Sequence, residues 1–172
     1  VASSLFLVAL GLIYGLVGTL NMAEIGVRVA QAGPEDAALI QAAAGILLTV
    51  FCAKAALLPM FLWLPMTYKF IPAPAAVLFV VMTKVGVYAA LRVFTVAFGD
   101  IPGAGDWPWS WLLPAGLATL LLSTFGAMAS QTLRATTGWM VVASSATLFV
   151  VFSLRTPDAL AAGMYYLLHS SF

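Results

Sequence analysis

Residues 3–20, 38–64, 75–98, 111–129, 137–154 and 158–172 form six apolar runs, and a helix that crosses a bilayer core needs about 17 to 25 such residues. Inside hydrocarbon the backbone amides of each run must pair within their own segment, which selects helices. The composition agrees, with 63% hydrophobic and 8% charged residues against about 25% charged in a soluble domain. The expected fold class is an all-α polytopic membrane protein with about six transmembrane helices, the last run being too short to span as it stands. Seven basic residues balance six acidic ones without a basic block, so nucleic acid is not an expected partner and the lipid bilayer is. Cys52 has no second thiol in the chain; neither an internal disulfide nor a zinc site is expected, and no metal or cofactor is. No initiator methionine, basic n-region or cleavage site precedes the first run, so the chain reads as a segment of a longer one without a signal peptide.

Local chemistry marks several boundaries. Pro34-Glu35-Asp36 and Thr156-Pro157-Asp158 place proline in a first helical turn with acids behind it, where the helix dipole favours negative charge. Trp63, Trp107, Trp109 and Trp111 fall at run ends and Trp139 just inside one, as rings at headgroup depth would. Between the first two runs, Met22, Ile25 and Val29 share a side and Glu24 pairs with Arg28 at i, i+4, which predicts a short helix on the membrane surface. Gly11 and Gly15 offer a weak close-packing motif. Lys69 and Arg134 on one side against Arg28, Arg92 and Arg155 on the other do not decide orientation.

Lys54, Lys84 and His169 are the residues that stand out. Lys54 lies ten residues before Leu64 and Lys84 nine after Ala75, so helical rise puts each about 14 to 15 Å from that face. His169, eleven residues into the last run, comes out about 16 Å from the opposite face. A lysine there cannot snorkel, and its charge costs at least about 2.5 to 3.5 kcal/mol to insert. Such a group is expected to line a water path and to exchange its proton, with His169 as a further station. For His169 alone, a helix-to-helix hydrogen bond is the better explanation, and only its depth, matching that of both lysines, brings the two readings level. Pro59 removes one helical hydrogen bond and crowds the carbonyl of Ala55, which predicts a discontinuous helix near Lys54–Pro59, a feature of ion sites in transporters; a lone kink is the plainer alternative. Pro65, Pro72 and Pro74 are expected in the loop that follows. Thr83, Ser144, Ser145 and Thr147 offer hydroxyls for a water chain or for ordinary helix packing.

With those residues on the page, "AKAALLPMFLWLP" and "PAPAAVLFVVMTKVGVYAALRVF" resemble the core signature of the antiporter-like family shared by cation/proton antiporters and the proton-pumping membrane subunits of respiratory complex I. "GLIYGLVGTLNMAEI", "WMVVASSATLFVVF" and "AAGMYYLLHSSF" are more similar to the D-type branch of multisubunit Mrp (also called Pha or Mnh) antiporters. The resemblance implies a fold of about fourteen helices in two inverted repeats. Residues 1–98 would be the last three helices of the first repeat, 99–110 an interfacial loop, and 111–172 the first helices of the second. It also implies that Lys54 and Lys84 are the family's proton-carrying lysines, that His169 begins the link to the second half-channel, and that the loops of Lys69 and Arg134 face the cytoplasm. The implied protein is a component of a secondary transporter, not an enzyme, in a bacterial inner membrane. Its partners would be other hydrophobic subunits, protons, and sodium or potassium. The family's glutamate partner of Lys54 has no counterpart here, and Glu24 does not replace it. The alternatives are a proton-pumping subunit of an NADH-quinone oxidoreductase and a truncated scaffold remnant.

Overall fold

The computed structural model describes residues 2–99 and 107–171, and eight helices occupy them: α1 (Ala2–Val17), α2 (Met22–Ala30), α3 (Pro34–Lys54), α4 (Trp63–Phe70), α5 (Ala73–Val96), α6 (Trp107–Ala129), α7 (Leu133–Ser153) and α8 (Pro157–His169). Among the described residues, α3, α5, α6 and α7 are long and apolar enough to cross a membrane; the bent pair α1 and α2 brings the number to five if it counts as one span. The six apolar runs predict one more. The difference lies at α8, whose 13 residues fall short of the bilayer's length. Most of the expected loop 99–110 lies outside the described residues.

Both proline-led starts are helix starts. α3 begins at Pro34 with Glu35 and Asp36 in its first turn, and α8 begins at Pro157 after the cap Thr156, whose side chain accepts from the Ala159 amide. Pro65 and Pro74, expected in a loop, instead sit in the first turns of α4 and α5. Proline costs nothing there because those amides have no helical acceptor.

The chain divides into two compact units whose boundaries fall within α3, α5 and the first turn of α6, one made of Val1–Phe51 and Tyr88–Pro108 and the other of Cys52–Val87 and Trp109–Phe172. In the first, Gly18 takes a φ of +74°, a left-handed conformation that glycine adopts without strain, and the chain bends by 54° from α1 into α2. Arg28 donates to the Val17 carbonyl at 2.6 Å and pairs with Glu24, so the expected ion pair also closes the end of α1. The Thr19 hydroxyl donates to Glu24 at 2.8 Å and, with the Arg28 charge, holds its carboxyl below the usual range. Ile25 and Val29 are buried while Met22 is exposed. At Gly26 an added Cβ would lie 2.5 Å from the Val96 carbonyl oxygen, whereas Cβ atoms at Gly11 and Gly15 would meet nothing within 4 Å. The close approach in this unit is thus made at Gly26, away from the glycine pair expected to pack.

In the second unit, α4 lies against α7. Ala56, Phe61, Leu64, Tyr68, Val141 and Val142 form its buried core, and a Cβ on Gly138 would sit 3.0 Å from the Pro65 Cα. Tyr68 donates to the Ala76 carbonyl at 2.9 Å and ties α4 to the start of α5. The tryptophans divide. Trp111 is exposed, as a headgroup anchor would be. Trp109 is buried beneath the Arg155 guanidinium, and Trp139 meets the Phe61 ring at a tilt and lies over Gly126.

Candidate relay site

The expected bent helix is a broken one. α3 ends at Lys54, and α4 does not begin until Trp63. Ala56, at a φ of 57°, occupies the left-handed position that usually follows a helix end. Around it Leu57 N–H donates to the Cys52 carbonyl at 2.8 Å, and Ala56 N–H to Ala53 at 3.4 Å, the paired bonds that close a helix C-terminus. Trp63, expected at headgroup depth, instead reaches back across the break, donating its indole N–H to the Ala53 carbonyl at 2.9 Å. Leu58 N–H donates to the Thr119 hydroxyl of α6 at 3.0 Å. The break is therefore hydrogen-bonded, as non-helical backbone away from water requires. Its Leu58–Pro59 peptide is cis. Because residues 55–62 are not helical, the helical rise used to place Lys54 from Leu64 does not apply to it.

Lys54 is half-buried in the last turn of α3. Across from it, a Cβ on Gly86 of α5 would lie 3.3 Å from the Ala55 nitrogen and 3.5 Å from the Lys54 carbonyl carbon. A side chain at Gly86 would press on the break at this distance, so glycine suits the close approach of α5. Lys84, two residues earlier, leaves α5 on roughly the opposite side, since a helix turns about 100° per residue.

Lys84 is 2% exposed. Its ammonium donates to the Ser144 hydroxyl of α7 and lies 5.7 Å from the centre of the Tyr166 ring of α8, within cation–π range. The Ser144 and Tyr166 hydroxyls are 3.0 Å apart. Three helices thus meet through one lysine, one serine and one tyrosine. The other hydroxyls singled out in the sequence turn back onto their own helices: Thr83 donates to Val80, Ser145 to Val141 and Thr147 to Ala143. His169 ends α8, exposed, with its ring parallel to that of Tyr165 at 6.3 Å. Among the described residues, no group of three or more His, Cys, Asp or Glu side chains is placed to hold a metal. A cavity of about 540 Å³ opens beside Lys69, Gln131, Thr132 and Arg134, but none of the candidate residues lines it.

Tyr166, Thr119 and Gly86 were not legible as site residues. The one available signal was Tyr166 lying three residues before His169, on a neighbouring position of the helix surface.

The family model described as "NADH:quinone oxidoreductase/Mrp antiporter, TM" matches residues 1–172. The chain belongs to this family. It is 36% identical over 171 residues to the D component of a probable K(+)/H(+) antiporter of Rhizobium meliloti, covering 99% of this chain and 32% of that protein. It is 34% identical to the D component of an Na(+)/H(+) antiporter of Alkalihalophilus pseudofirmus, covering 98% and 33%. The resemblance to the D-type branch is thereby met, and the chain spans about a third of the length of these relatives. Among solved structures, a chain of the Mrp complex of Dietzia sp. superposes with a TM-score of 0.86 at 26% identity, over 99% of this chain and 30% of that one. A chain of the membrane-bound sulfane sulfur reductase, an archaeal respiratory membrane complex, superposes equally well, with a TM-score of 0.86 at 26% identity, over 99% and 34%.

Proposed function

We propose that this chain is part of the D component of a multisubunit sodium-or-potassium/proton antiporter, and that Lys54 and Lys84 carry protons within it. The observation that carries the proposal is Lys84, a buried lysine whose contacts in this unit are a serine hydroxyl and an aromatic ring. Among the described residues no carboxylate lies in an ion pair with it, and its charge is expensive to keep in an apolar interior. That environment suits a group that alternates between ammonium and amine. Lys54 stands at the broken helix, the arrangement from which ion paths are built in transporters. In the longer protein, residues 1–98 would close the first inverted repeat and residues 111–172 open the second, with His169 beginning the link onward. The protein would sit in a bacterial inner membrane among other hydrophobic subunits.

The superposition on an archaeal respiratory complex favours a second reading, in which the same lysines respond to redox chemistry elsewhere, as in a proton-pumping subunit of a quinone oxidoreductase. Inverted vesicles holding the complete complex separate the two. With a preformed proton gradient and no electron donor, added sodium or potassium should dissipate the gradient, and Lys54→Ala should abolish that exchange while assembly persists. Exchange that survives Lys54→Ala would remove Lys54 from the mechanism. Pumping that needs reductant and quinone would establish the second reading.

A further inference from the structure

We infer that Tyr166 is a relay residue whose hydroxyl passes protons between Lys84, through Ser144, and the α8 side where His169 stands, an inference that builds on the lysine relay proposed above. Ser144 lies in hydrogen-bond contact with both Lys84 and Tyr166, whereas Thr83, Ser145 and Thr147 are each engaged with a carbonyl of their own helix. The chemistry of its members allows the chain to run in either direction. An ammonium has only donors, so while Lys84 is charged, Ser144 accepts from it, and the serine's own hydrogen is available to Tyr166. The tyrosine hydrogen is then free for the next acceptor. A neutral amine has a lone pair, and the same three groups can reverse, Tyr166 donating to Ser144 and Ser144 to Lys84.

In the transfer, an N–H bond of Lys84 breaks as an O–H bond forms on Ser144. The hydrogen that Ser144 held moves to the Tyr166 oxygen, and the hydrogen of Tyr166 moves to a water molecule on the α8 side. Lys84 is left as an amine, both hydroxyls stay neutral, and the positive charge leaves with that water. The Tyr166 ring, lying 5.7 Å from the lysine nitrogen, holds the charged form in place while the hydroxyl of the same side chain provides its exit. One residue thus links the charge of Lys84 to the position of α8.

The test uses the complete antiporter in inverted vesicles. Tyr166→Phe keeps the ring and removes the hydroxyl, and exchange should fall at least about tenfold with assembly unchanged. Ser144→Ala should give the same fall, Ser144→Thr should retain exchange, and Tyr166→Phe combined with Ser144→Ala should be no worse than either alone, because two cuts in one chain do not add. Tyr166→Phe at the parent rate, with Lys84→Ala inactive, would overturn the inference and leave the lysine relay standing. Lys84→Ala at the parent rate would bring down the relay itself. Should Tyr166→Phe fail to assemble, the Ser144 variants decide: loss in Ser144→Ala with retention in Ser144→Thr supports the chain, and equal rates in both overturn it.

Discussion

The indole N–H of Trp63 donates to the carbonyl of Ala53 at 2.9 Å, joining the first turn of α4 to the last turn of α3 across the break between them. A tryptophan in that place acts as a strut. The carbonyl it satisfies belongs to a helix end where a second donor, Ala56 N–H, is 3.4 Å away.

Trp63→Phe keeps an aromatic ring near Phe79 but withdraws the donor from Ala53. Leaving that carbonyl poorly paired is expected to cost about 1–3 kcal/mol, read as a lower unfolding temperature of the purified complex. An unchanged temperature would show that the strut carries no stability.

At Ala56 the φ of 57° predicts opposite effects from two substitutions. Ala56→Gly relieves the left-handed strain and should stabilise by up to about 1 kcal/mol. Ala56→Val adds β-branching in the same conformation and should destabilise by more. Thermal unfolding of both variants checks the order, and a Val variant as stable as the Gly variant would contradict the backbone assignment.

Gly86→Val should separate α5 from the break, because even a Cβ there lies 3.3 Å from the Ala55 nitrogen. Overpacking of this kind costs about 1–3 kcal/mol. Exchange should fall although both lysines remain, and assembled Gly86→Val with parent activity would show that the approach is not needed.

Gly163 of α8 packs on the Phe152 ring of α7, where an added Cβ would collide. Gly163→Ala should push α8 away by an overpacking term of about 1–3 kcal/mol and loosen the contact between Ser144 and Tyr166. Combining it with Phe152→Ala makes room and should restore part of the exchange. A double variant no better than Gly163→Ala alone would rule out that route.

The residues themselves were enough to determine the class, the helix starts at Pro34 and Pro157 and the prominence of the lysines. Length and apolarity decide whether a segment can cross a bilayer, proline followed by acids favours a first turn at Pro34 and Pro157, and a lysine in an apolar run is visible wherever it falls. The Glu24–Arg28 pair was legible for the same reason, since its partners are four residues apart on one helix. The break at Lys54 was signalled by Pro59, but its extent was not. Eight residues, 55–62, leave the helix, and what holds them there is not local: the Leu58 amide finds its partner in Thr119 of α6, far away in the chain, while Trp63 reaches back past all eight to Ala53. The meeting of Lys84, Ser144 and Tyr166 depended on how α5, α7 and α8 pack, and so on Gly163 admitting the Phe152 ring. Local propensity acts over a few residues, whereas hydrogen bonds between helices form only after packing has chosen which faces meet.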